Sequence, residues 1–95
     1  MPLLKKSPQA DQDLLEIWLY IAEDSPINAD RYLDKINDPA NHLVEFSSMG
    51  IERPELAKAL FSFPLDHYIL YYRKIEQGIE LVRVLHASRD VGQYF

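Results

Sequence analysis

Tyr68-Ile69-Leu70-Tyr71-Tyr72-Arg73 and Ile79-Glu80-Leu81-Val82-Arg83-Val84-Leu85-His86 stand on either side of Glu76-Gln77-Gly78. Both runs are short, β-branched and aromatic, and the connection has the length of a hairpin turn. Upstream, Ala59-Leu60-Phe61-Ser62-Phe63 has the same character and is separated from Tyr68 by Pro64-Leu65-Asp66-His67. A three-strand antiparallel meander follows. In its last strand the two-residue period puts Leu81, Arg83 and Leu85 on one face and Val82, Val84 and His86 on the other. Neither set is polar enough to face water alone, so both faces of the sheet are expected to be covered at least in part.

Moving toward the N-terminus, the apolar period changes from two to between three and four. Ser7-Pro8 reads as a helix start, because serine accepts an orphan backbone N–H and proline fits the first turn without losing a bond. Leu14, Leu15, Trp18, Ile21 and Ala22 then form an apolar stripe, with Asp11, Asp13, Glu16 and Glu23 at the remaining positions. Asp24-Ser25-Pro26 repeats the cap-plus-proline signal, so a second helix starts at once and doubles back as a hairpin. Ala29, Tyr32, Leu33, Ile36, Ala40, Leu43 and Val44 keep one helical phase across Pro39, which reads as a kink inside a continuous helix. The competing reading stops the helix near Asn37 and begins a short one at Ala40. Phe46 to Glu52 reads as a connector, Pro2 to Lys6 as a brief first strand, and Asp90 to Phe95 as a last turn or an extended end. With helices able to cover only one side of the meander, the other side is a candidate partner surface.

Ninety-five residues with 47% apolar side chains form one domain over residues 1–95, since a chain this short cannot divide its apolar surface between two cores. The absence of cysteine excludes a disulfide framework and any thiolate nucleophile or ligand. Neither a signal-length apolar run nor the roughly 18 apolar residues of a membrane span occurs, so a cytoplasmic protein without membrane association is expected. The net charge of −5 lies entirely in residues 1–48, which hold four basic against nine acidic side chains. Residues 49–95 hold six of each. That balance argues against sequence-specific or general duplex binding, which needs several phosphate-neutralising cations.

His42, His67 and His86 lack second ligands at metal spacing, and neither a glycine-rich phosphate loop nor a serine elbow is present, so no metal or cofactor is expected. The carboxylates of the first half read as a solvated helical face. More informative is the set Arg73, Arg83, His86 and Arg89. A hairpin about Gln77-Gly78 would bring Arg73 and Arg83 to roughly paired positions, with His86 and Arg89 beyond the far end of the last strand. Guanidinium forks suit phosphate or carboxylate recognition, and a neighbouring histidine suits acid–base work. The structural alternative pairs Arg83 with a carboxylate inside the sheet and uses Arg89-Asp90 to cap the final turn.

Several segments, in order along nearly the whole chain, resemble the ParE branch of the RelE/ParE toxin superfamily. Ser7-Pro8-Gln9-Ala10 leading to Ile17-Trp18-Leu19-Tyr20-Ile21-Ala22 is similar to its first helix, and Asn28 to Ile36 to its second. Gly50-Ile51-Glu52-Arg53-Pro54-Glu55-Leu56 resembles its connector, and Val82 to Asp90 its ending. The resemblance implies an α+β fold in which an N-terminal α-helical hairpin packs on a small antiparallel sheet. It implies a toxin neutralised by a ParD-like antitoxin in a higher-order hetero-oligomer and inhibiting DNA gyrase by binding rather than by catalysis. Arg53, Tyr71, Arg73, Arg83 and Arg89 are the expected antitoxin contacts. Two other functions stay open: a RelE-like messenger-RNA endonuclease using His86, Arg89 and Tyr94, and a degenerate member that acts only in complex formation. In the RelE pattern a late tyrosine stands six residues beyond the arginine that corresponds to Arg89. Here that position is Phe95, with Tyr94 one short, and a phenyl ring transfers no proton.

Overall fold

In a computed structural model, residues 3–95 are described. Pro2, which the sequence places in a first strand, lies outside them. Strand β1 (Leu3–Lys6) leads into helix α1 (Pro8–Ala22) and helix α2 (Pro26–Glu45). Strands β2 (Ile51–Glu52), β3 (Phe61–Leu65), β4 (Tyr68–Ile75) and β5 (Gly78–His86) follow, and a short 3₁₀ turn, Val91–Tyr94, closes the chain.

Both helices start where Ser-Pro pairs predict. The Ser7 hydroxyl accepts the Ala10 N–H at 3.0 Å, and the Ser25 hydroxyl accepts that of Asn28 at 3.2 Å. Helix α2 runs unbroken through Pro39, which removes the reading with a stop at Asn37. On α1 the buried stripe is Ala10, Asp13, Leu14 and Ile17. Leu15, expected on that stripe, is 49% exposed, and Asp13, expected in water, is buried.

The sheet order is β1-β5-β4-β3-β2, with β1 parallel to β5 and every other pair antiparallel, so the expected meander sits inside a mixed sheet. Turns are tighter than the composition suggests. Leu65 already pairs with Tyr68, leaving Asp66-His67 as the loop, with Asp66 at φ 54°. Pro64 therefore lies within β3, where β2 pairs only as far as Ser62, and its missing N–H breaks no ladder bond on that side. Gly78 opens β5 at φ 156°, and a Cβ there would run into the Leu3 backbone, so the parallel approach of β1 requires glycine.

A register irregularity between Tyr71 and Tyr72 corrects the expected alternation of β5. Tyr71 lies opposite Arg83 and Tyr72 opposite Leu81, which leaves Val82 as the extra residue of a bulge. Leu81 and Val84 thus both join the core under the helices, with Ile36, Leu43, Leu70 and Tyr72. Leu85 turns to the other face and packs with Leu60 and Tyr71. That second face is not left open as expected. Leu56 and Ala57 of the loop between β2 and β3 and Val91, Tyr94 and Phe95 of the chain's own end cover it.

Candidate binding groove

Beyond Leu81, β5 outruns β1, and the first backbone groups on that edge are met by Ser7 and α1 instead of a strand. Ser7 donates its hydroxyl to the Val82 carbonyl at 2.7 Å. Asp13 accepts the Val84 N–H at 3.0 Å, and both its oxygens take Arg83 nitrogens at 2.8 Å. One carboxylate therefore replaces a strand neighbour and fixes a guanidinium. Those hydrogen bonds hold Arg83 protonated still more firmly than usual, against the opposing effect of its burial.

Between α1 and this edge runs an open groove of about 1020 Å³. Gln12, Glu16 and Tyr20, one helical row, line one wall. Arg83, His86, Arg89 and Tyr94 line the other, and Tyr32, His67 and Tyr68 close one end. Tyr94 sits between two cations: Arg89 donates to its hydroxyl at 2.8 Å, and the Arg83 guanidinium lies 4.9 Å from its ring centre. Tyr68 packs edge-on to both Tyr32 and His86, and the rings of His67 and His86 stack at 6.1 Å. Burial raises the Tyr68 hydroxyl, Tyr20 adds to the shift, and Arg89 partly offsets it. The Ser88 N–H points at His86 Nδ1 at 3.1 Å, and a backbone N–H can only donate. Neutral His86 thus carries its proton on Nε2.

The structure brings Arg83, His86 and Arg89 together and sets Tyr94, the late tyrosine of the ribonuclease alternative, beside them. Arg73 is not among them. It pairs with Glu80, whereas Arg83 pairs with Tyr71, so the two arginines are not opposite one another. Arg73 is exposed near the hairpin end; Tyr71 is buried under Phe95, ring centres 5.0 Å apart; and Arg53 donates to Ser62 at 2.9 Å on the far side of the sheet. Arg83 follows the structural alternative in kind, but its carboxylate comes from α1. Asp90 makes no side-chain cap to the final turn, and Arg89 reaches Tyr94 instead. Sequence reading missed Asp13, although its spacing from Ala10, Leu14 and Ile17 is that of the buried stripe. Tyr20 and Tyr32, which the sequence places on helices, and Tyr68, which it places in a strand, also line the groove. Among the described residues no three His, Asp or Glu side chains converge as a metal site would need.

Comparison with known proteins gives one consistent result. The model of the family described as the ParE toxin of type II toxin-antitoxin system, parDE, matches residues 4–91. Toxin RelE3 of Caulobacter vibrioides is 27% identical over 88 residues, covering 92% of this chain and 96% of that protein. A structure titled as the chromosomal ParDE TA system from P. aeruginosa superposes with a TM-score of 0.74 at 21% identity, over 90% of this chain and 96% of that one, and shares the fold.

Proposed function

This chain belongs to the ParE toxin family of type II toxin-antitoxin systems, and on that premise we propose that it acts in the cytoplasm by binding and inhibiting DNA gyrase, and is silenced by a ParD-like antitoxin seated in the groove between α1 and β5. The observation that carries the antitoxin part is the unfinished edge of β5. Backbone groups of alternate strand residues point the same way, so the Val84 carbonyl and the His86 N–H follow the Val84 N–H toward α1. An extended or helical tail entering there gains backbone partners, the rings of Tyr20 and Tyr68, and the cation of Arg89. Arg83 contributes as a wall held by Asp13. The gyrase part rests on the family resemblance. Expression without antitoxin is expected to arrest growth, and the purified chain to block supercoiling of relaxed plasmid by gyrase, with antitoxin restoring it. Undiminished supercoiling at excess toxin would refute that target.

A specific juxtaposition favours a second reading, a ribosome-dependent ribonuclease. His86, Arg89 and Tyr94 line one groove, and the Arg89 bond polarises the Tyr94 hydroxyl. Cleavage of ribosome-bound message by the wild type, lost in both His86→Ala and Tyr94→Phe, would establish it in place of the first.

A further inference from the structure

We infer that the outward face of the helical hairpin is a second docking surface, and that it takes a basic amphipathic helix of another protein. On α1, Asp11, Leu15, Leu19 and Glu23 follow one another at four-residue spacing and so form one row along the helix. All four are exposed, Leu15 by 49% and Leu19 by 52%. On α2, Ile27, Asp30, Asp34 and Asp38 form a second exposed row, with Ile27 65% exposed. A 2.8 Å hydrogen bond from Trp18 Nε1 to Asp30 ties the two helices together and sets these rows side by side.

The result is a shallow apolar strip with five carboxylates in its two rows; of the exposed cations on α2, Lys35 is paired with Asp66 at 2.8 Å and Arg31 stands one turn from Ile27, so the strip is acidic on balance. Leu15 and Leu19, half-exposed and one turn apart, offer the i, i+4 apolar row that a partner helix engages. Charge selects the occupant. A helix with its own apolar row flanked by lysine or arginine would meet carboxylates on both sides. A second copy of this chain would set five carboxylates against five, and an anionic membrane would be repelled. A tail with the carboxylates that the Arg89 cation of the groove would favour is disfavoured here for the same reason, so this surface is a separate one and does not depend on that reading.

The test uses the full chain and a labelled amphipathic peptide of leucine and lysine, with its leucine–glutamate counterpart as the control, read by fluorescence anisotropy. Binding of the lysine peptide is expected to weaken about tenfold or more in the Leu15→Ser, Leu19→Ser double variant. Asp30→Asn with Asp34→Asn, which keeps an acceptor for Trp18, is expected to weaken it too and to flatten its salt dependence. All these positions are exposed, and thermal melting verifies that each variant folds. Equal affinity of wild type and both variants, or equal binding of the glutamate peptide, would overturn the inference. So would a concentration-dependent dimer, seen by sedimentation, that Leu19→Ser abolishes, because the occupant would then be a second copy.

Discussion

Asp13 joins α1 to β5 by three hydrogen bonds: it accepts from the backbone of Val84 and takes both prongs of Arg83 while itself only 7% exposed. Removing one member of such a pair leaves the other charge without its partner in a poorly solvated place. Asp13→Asn is therefore expected to cost about 3 kcal/mol in urea unfolding. Unchanged stability would mean that the pair is idle. Tyr72 plays the comparable part at the opposite end of the sheet. Its hydroxyl donates to the Ser47 carbonyl at 2.8 Å and accepts the Gly50 N–H at 3.0 Å, so a core ring pins the connector after α2. A Cβ at position 50 would collide with that hydroxyl, which explains the glycine. Tyr72→Phe keeps the ring but orphans both backbone groups, and is expected to cost about 1–3 kcal/mol in the same measurement.

Among the elements, α2 carries an avoidable defect. Pro39 sits inside it and has no N–H for the carbonyl four residues earlier, yet the helix continues because Ile36, Ala40 and Leu43 on either side are fully buried. Pro39→Ala restores the bond and is expected to raise the melting temperature, gaining up to about 3 kcal/mol; a fall would show that the ring at position 39 packs in a way alanine cannot match. That this helix passes through proline was readable from the unbroken apolar phase, and both helix starts from their Ser-Pro pairs. The strands were readable from their β-branched and aromatic runs. What could not be read was the bulge at Val82. No glycine or proline marks it, and it depends on how Tyr71 and Tyr72 meet β5 across the hairpin. One extra residue flips the later half of the strand, so Leu81 and Val84 share a face that simple alternation denies them.

At the scale of the molecule, four tyrosines, Tyr32, Tyr68, Tyr71 and Tyr72, have their ionisation raised above 10.0, in each case first by burial. Well below pH 10 they are neutral in folded and unfolded chains alike and leave stability untouched. Above it the unfolded chain releases protons that the folded one retains, so stability is lost as pH rises through the folded values. Stability is thus expected to hold from pH 7 to about 9 and to fall beyond about 10, a fall that Tyr72→Phe makes shallower. The groove was legible only in part. Arg83, His86 and Arg89 were singled out because guanidinium and imidazole groups advertise their chemistry. Tyr20, Tyr68 and Asp13 were not, because their roles arise where a helix row happens to lie along a strand edge. The edge of β5 is the proposed seat of the neutralising partner. Hydrogen exchange of the chain with and without its antitoxin tests this most directly: new protection is expected at Val84 to His86 and along Gln12 to Tyr20, whereas protection confined to β2 and β3, with the β5 edge exchanging as in the free chain, would contradict it.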